Sequence, residues 1–273
     1  MRYNLLVLSL IFFYSCNSDL KRKEVVVSDS TKIKKIYYTD GKIKIEYQAF
    51  DSIINGRYTE YYQNGRIKEE FYCKMGKKMG WDNRYYSNGI LSYKTYYKEN
   101  EKERKFRTEY YYYLNGKLES ILNLRFGKAF GDAYFYYSNG KIKAYNAFDF
   151  NGNSSYVLLF DSLGNKTKEE GIAFSPDGLS SFPSDSTILN RPDTIQLSVS
   201  APPNTKTIIT IGEIDINGKL RDTQNYPINN FKITYIKTFT KVGKCKIRVT
   251  GKILNKDDKV INEDSRDFDF IVR

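Results

Sequence analysis

The stretch YYQNGRIKEEFYCKMGKKMGWDNRYY, residues 61–86, decides the fold. It opens on an aromatic pair, passes through Asn64-Gly65, runs on through Gly76 and Gly80, and closes on a second aromatic pair, Tyr85-Tyr86. Its turn glycine has counterparts at Gly41, Gly89, Gly116, Gly140 and Gly164, and the successive gaps are 24, 24, 27, 24 and 24 residues. Aromatic pairs precede five of these glycines: Tyr37-Tyr38, Tyr61-Tyr62, Tyr85-Tyr86, Tyr112-Tyr113 and Tyr136-Tyr137. Self-similarity at a fixed period means stacked supersecondary units, which present an extended surface rather than a pocket.

Asn-Gly between alternating runs signals a hairpin, and a two-residue type I′ turn is expected because both central residues then need φ > 0. In that register Tyr62 faces Ile67 and Tyr61 faces Lys68. The first pairing recurs as Tyr38 with Ile43, Tyr86 with Leu91, Tyr113 with Leu118 and Tyr137 with Ile142, which reads as a buried face. The second recurs as Tyr37 with Lys44, Tyr85 with Ser92, Tyr112 with Glu119 and Tyr136 with Lys143, which reads as a solvated face. A second turn near Gly56, Gly76 or Gly127 closes each unit, so six units give about a dozen strands in one antiparallel meander. In the sixth unit Phe160 keeps the aromatic position, and the apolar pair becomes Asp161 with Lys166. That change reads either as a polar finish to the array or as sequence decay.

The pattern carried by Tyr61, Tyr62, Asn64, Gly65, Ile67, Lys68, Glu69, Gly76, Lys77 and Gly80 resembles the MORN repeat in its bacterial variant form. The resemblance covers about residues 32–172. It implies a single-layer β-meander scaffold that serves interaction or membrane association rather than catalysis. Bacterial relatives of the variant are often labelled antitoxin-like, so the resemblance also implies a place in a toxin–antitoxin pair.

The ends read differently. Residues 1–16 form a signal segment: Arg2, an apolar run from Leu5 to Tyr14, then Ser15-Cys16. The run is too short to cross a membrane as a helix. Cys16 after a small residue resembles a lipoprotein box and is the expected lipidation site, although Phe13 departs from the usual small aliphatic residue. Residues 17–30 are a polar tether, 31–174 the repeats, and 175–192 a Ser-, Pro- and Asp-rich linker. Residues 193–273 carry strand runs at Thr194–Ala201, Thr207–Ile214, Phe231–Phe239, Cys245–Leu254 and Phe268–Val272, at sandwich spacing. The stretch from Phe239 to Ile253 resembles the late strands of immunoglobulin-like bacterial surface domains. The expected fold is therefore all-β: a single-layer antiparallel meander followed by a small β-sandwich. Of three cysteines, Cys16 goes to acylation, and Cys73 and Cys245 are expected as free thiols.

The net charge is +12, and the repeat region holds 25 Lys and Arg against 17 Asp and Glu. A basic aromatic sheet suits nucleic acid or anionic headgroups, but a secretion signal argues against nucleic acid. There is no histidine, which removes Ser-His and Cys-His machinery and His-ligated zinc. Glu69-Glu70 and Glu169-Glu170 are strand neighbours on opposite faces, so neither is a glycosidase pair. No metal, cofactor or catalytic residue is expected. The expected function is a non-catalytic lipoprotein of a bacterial cell envelope, at the outer membrane or surface in a Gram-negative cell. It would bind a protein partner through Tyr37, Tyr61, Tyr85, Tyr112 and Tyr136 with Lys44, Lys68 and Lys143. The alternatives are an antitoxin or immunity-like protein, and a glycan-binding or glycan-hydrolysing surface protein.

Overall fold

The computed structural model describes residues 22–26, 32–99, 106–176, 186–227 and 232–273. They fall into two compact units, residues 1–78 with 87–89 and residues 79–86 with 90–273. In the first, β1 (Arg22–Val26), β2 (Lys32–Tyr37), β3 (Ile43–Phe50), β4 (Ile53–Tyr61) and β5 (Ile67–Lys74) pair antiparallel in chain order. The boundary between the units falls inside β6 (Lys77–Tyr85). In the second unit β6 pairs antiparallel with β7 (Leu91–Tyr97), and β8 (Phe106–Tyr112), β9 (Leu118–Arg125), β10 (Lys128–Tyr136), β11 (Ile142–Phe148), β12 (Ser154–Phe160) and β13 (Lys166–Gly171) follow antiparallel in chain order. The meander expected from the 24-residue period is the observed fold.

The turns depart from the expected type. Tyr62 N–H donates to Arg66 O and Gly65 N–H to Tyr62 O, and Gly65 alone takes a left-handed φ of +83° while Asn64 does not. This is a three-residue loop with a glycine bulge, not a two-residue type I′ turn. Asn64 is placed there for its side chain. Its Oδ1 accepts from Arg66 N–H at 3.1 Å, and its Nδ2 donates to Ser87 O, in the next turn, at 2.8 Å. Asn115 and Asn139 repeat both contacts. Paired left-handed residues, the mark of type I′, occur at the opposite strand ends: Asp51-Ser52, Met75-Gly76 and Phe126-Gly127.

The extra residue shifts the register. Tyr61 lies opposite Ile67, and Tyr37, Tyr85, Tyr112 and Tyr136 lie opposite Ile43, Leu91, Leu118 and Ile142, each beside a bulge. The expected pairing of Tyr61 with Lys68 and of Tyr62 with Ile67 is therefore corrected by one residue. Lys166 likewise lies opposite Phe160, not Asp161. Asp161 instead accepts N–H groups from Leu163 and Asn165 in its own loop.

Gly116, at φ +77°, tests the loop geometry, because a Cβ there meets nothing closer than Ile90 Cγ2 at 3.7 Å. The cost of Gly116→Val is then conformational, about 1–3 kcal/mol for a β-branched residue in the left-handed region. Chemical denaturation of the full chain measures it, and unchanged stability would contradict the bulged loop.

The C-terminal part is a sandwich of two sheets. One is β14 (Phe174–Pro176), β16 (Pro192–Val199) and β19 (Lys232–Thr238), in the order β14-β16-β19. The other has the order β15-β21-β20-β17-β18, from β15 (Ser186–Thr187), β17 (Lys206–Ile214), β18 (Leu220–Pro227), β20 (Gly243–Leu254) and β21 (Val260–Val272). Within the segment read as a linker, 175–192, Ser175 and Pro176 belong to β14, Ser186 and Thr187 form β15 and Pro192 opens β16, while residues 177–185 lie outside the described residues. β18 and most of β21 escaped the sequence reading because their side chains are polar. β21 is held on β20 by charged cross-strand pairs, Arg248 with Asp267 at 2.6 and 2.9 Å and Lys252 with Glu263 at 3.2 Å.

The sandwich core does not stop at its own sheets. Tyr145, Ala147, Tyr156 and Leu158 of β11 and β12 join Phe174, Leu197, Ile209, Ile211, Val249 and Phe270 in one buried cluster. The last repeats and the sandwich therefore fold around a shared core.

Candidate binding face

The tyrosine pairs have a structural task. In four of the five pairs the second member donates its hydroxyl to the carbonyl of the first aromatic residue one repeat on. Tyr38 reaches Tyr61 O at 2.6 Å, Tyr86 reaches Tyr112 O at 2.6 Å, Tyr113 reaches Tyr136 O at 2.7 Å and Tyr137 reaches Phe160 O at 2.8 Å. In the next loop, closed by Gly164, Asp161 stands where the tyrosine hydroxyl would be. The basic residue that follows the glycine adds a second tie. Lys42 Nζ donates to Gln63 O at 3.1 Å, Lys117 Nζ to Asn139 O at 3.0 Å and Lys141 Nζ to Leu163 O at 2.7 Å, and Arg66 makes the same contact with Asn88 O.

The face expected from the sequence does not assemble. Tyr37, Tyr61, Tyr85, Tyr112 and Tyr136 are half-buried, as are their neighbours Tyr38, Tyr62, Tyr86, Tyr113 and Tyr137, so one member is no more solvated than the other. The lysines accompany the second tyrosine: Lys44 Nζ sits 5.7 Å from the Tyr38 ring and Lys143 Nζ 5.8 Å from the Tyr137 ring. Lys68 pairs with Glu60 at 2.9 Å. The one-residue register shift is the cause. Cys16 lies outside the described residues. Cys73 and Cys245 are free thiols, and burial pushes the Cys245 thiol up.

A different face of the second unit carries exposed aromatic surface. Trp81 lies opposite Tyr96, Lys94 opposite Tyr110, and Phe106 opposite Arg125. Trp81, Tyr96 and Phe106 are 51%, 47% and 44% exposed. The rings of Trp81 and Tyr96 meet edge to face at 5.2 Å, and Lys94 Nζ stands 5.4 Å from Trp81 and 5.1 Å from Tyr110. Phe106, Phe130 and Phe150 extend the aromatic surface in steps of 5.8 and 4.6 Å. A groove of about 360 Å³ lies among Trp81, Tyr96, Phe106, Tyr110, Leu124 and Phe130.

The position of this groove follows from one row of side chains. Lys94, Tyr110, Ile121, Tyr134, Tyr145 and Leu158 are successive cross-strand partners from β7 to β12, so they share a face. At Tyr145 and Leu158 the row is buried in the core shared with the sandwich. At Lys94 and Tyr110 it is half-buried, beside the exposed Trp81 and Tyr96. The sequence held one signal for this site, the chain's single tryptophan, but nothing in the 24-residue pattern says which face it occupies.

The reverse face of the same strands is closed chemistry. Glu109 is buried and accepts from Tyr93 Oη at 3.1 Å, Arg107 Nε at 2.8 Å and Tyr111 Oη at 2.8 Å. Burial, with the Glu109 contact behind it, pushes the Tyr111 hydroxyl up to about 12. Among the described residues no cluster of acidic or cysteine side chains is arranged to hold a metal ion.

Fold and face together define a repeat protein whose unit is an antiparallel hairpin closed by an Asn-Gly loop. Residues 54–74 and 108–125, the β4–β5 and β8–β9 hairpins, match the family model described as MORN repeat variant, so the chain carries MORN-variant repeats. No curated protein matches the chain.

Proposed function

We propose that this chain is a non-catalytic binding protein of the cell envelope, tethered by lipid at Cys16, that holds its partner against the open face of β6–β10. The observation that carries this reading is the row from Lys94 to Leu158, buried in the core shared with the sandwich at one end and flanked by exposed aromatic rings at the other. Three half-exposed aromatic rings at that end are the residue type that anchors interfaces. The repeats supply rigidity through the hydroxyl and lysine ties between loops, so the face is organised before a partner arrives. A non-catalytic role agrees with the absence of histidine and with both Glu109 oxygens being engaged by donors. The immunoglobulin-like character of the sandwich and the antitoxin-like role are left as family implications.

Co-sedimentation with isolated cell envelopes tests the face. The chain from Asn17 onward should pellet with them, Trp81→Ala and Tyr96→Ala should each reduce the bound fraction, and Tyr61→Ala should not. Equal loss from Tyr61→Ala would return the contact surface to the tyrosine pairs. The anchor has its own test. Metabolic labelling with a fatty-acid analogue should mark the wild type and not Cys16→Ala, and a labelled, membrane-bound Cys16→Ala chain would refute lipidation there.

A further inference from the structure

We infer that the ligand of the open face is an acidic polysaccharide, one whose sugar rings carry carboxylate or sulfate groups. The inference rests on the binding face proposed above and names what that face takes.

Charge points to an anion. Lys94, Arg125, Lys128 and Lys232 make no ion pair with a carboxylate among the described residues. Lys94 is held over Trp81, Tyr110 and Tyr112, the last at 5.9 Å. The Arg125 guanidinium lies 4.8 Å from the Phe150 ring and donates to Phe150 O at 3.1 Å, and its Nε is buried with no hydrogen-bond partner among the described residues. Lys128 is the cross-strand partner of Arg125, and Lys232 of the sandwich stands 4.8 Å from the same Phe150 ring. The cations thus border the aromatic surface, from Lys94 at Trp81 to Lys232 at Phe150. Cations held against aromatic faces keep their charge and their capacity to meet an oxyanion.

Shape points to rings. The aromatic surface is shallow and half-exposed, which suits the flat apolar C–H face of a sugar better than a single anchoring side chain. An extended peptide gains its affinity from main-chain bonds to a sheet edge. Here β7 to β10 are each paired on both sides, so this face offers no free edge. A single-stranded nucleic acid would also stack and neutralise charge, but a chain in the cell envelope meets charged glycans first.

Trp81 is the chain's single tryptophan, so its fluorescence reports directly on the groove. The full chain titrated with polygalacturonate should show a saturable change in emission that weakens as salt is raised. Lys94→Met and Arg125→Gln should each weaken binding about tenfold, the weight of one charged hydrogen bond. Dextran of matched length should leave the emission unchanged, and polyglutamate should bind at least about tenfold more weakly than polygalacturonate. Circular dichroism melts confirm that the variants are folded, and Lys232→Gln, on a different sheet, supplies an independent charge deletion. Dextran binding equally well would show that charge plays no part, and equal binding of polyglutamate would reduce the site to bulk electrostatics. Tighter binding of a single-stranded oligonucleotide would make the ligand a nucleic acid. Each of these outcomes overturns the inference. If polygalacturonate fails while Trp81→Ala still releases the chain from envelopes, the face stands and its ligand is not an acidic glycan.

Discussion

Tyr145→Ala should lower the stability of the second unit by about 3–5 kcal/mol, the range for removing a buried aromatic side chain. Tyr145 is fully exposed to neither solvent nor groove: it is completely buried, with its ring 5.4 Å from Tyr134 and 6.3 Å from Tyr156. Its hydroxyl donates to Asp132 Oδ1 at 2.6 Å and accepts from Ala201 N–H at 2.7 Å. One side chain therefore joins β10, β11 and the segment after β16. The truncation leaves a cavity and strips partners from a buried carboxyl group and a backbone amide. Tyr145→Phe separates the two effects, keeping the ring and losing about 1–3 kcal/mol for the unsatisfied groups. Denaturant unfolding of the full chain followed by far-ultraviolet circular dichroism gives both values. A Tyr145→Ala loss below about 1 kcal/mol, the scale of an ordinary surface change, would mean that the repeats and the sandwich do not share a core.

Asp132→Asn should stabilise the chain at neutral pH and leave it unchanged in acid. Burial pushes the Asp132 carboxyl up from 3.8 to about 6, against the opposing hydrogen bonds from Tyr145 and Ala201. A folded value above the unfolded one means that the folded state holds the proton more tightly. The stability from this group is complete below about pH 4 and is lost as pH rises through about 6. At pH 7 the ionised carboxylate costs on the order of 3 kcal/mol relative to its acid form. Asparagine keeps an acceptor for the Tyr145 hydroxyl and cannot ionise. The difference in stability between variant and wild type is the useful readout, because Glu169, Asp161, Asp215 and Asp267 are held low by their own donors and slope the other way in both proteins. A difference that stays flat from pH 4 to pH 8 would show that Asp132 is not desolvated by the fold.

Neither of these two residues is distinguished by the local sequence. Tyr145 was one of 25 tyrosines, placed in no motif, and Asp132 followed a turn glycine with nothing to distinguish it. Their meeting with Ala201 spans 56 residues of chain, and no local pattern encodes it. The spacing of the recurring Tyr-Tyr pairs encodes contacts between neighbouring repeats. Tyr38, Tyr86, Tyr113 and Tyr137 recur because each must reach a carbonyl in the next repeat. The expected pairing of Tyr61 with Lys68 is displaced by one inserted residue. Asn-Gly is compatible with a two-residue type I′ turn and with a three-residue bulged loop, and the two differ by a step that moves every side chain to another partner.

The sequence by itself determined the all-β class, the hairpin unit and its period. Those properties are local. Glycine at a left-handed position, aromatic and β-branched residues in short runs, and a constant spacing specify a meander wherever the chain is placed. Only the tertiary structure decided the register, the use of the tyrosine hydroxyls and of the basic residues after each loop glycine, and which face is open. The physical reason is that exposure belongs to the assembly of elements. Lys94 and Leu158 stand on one row of one sheet, and it is the packing of the sandwich onto β11 and β12 that buries the second while the first remains beside Trp81.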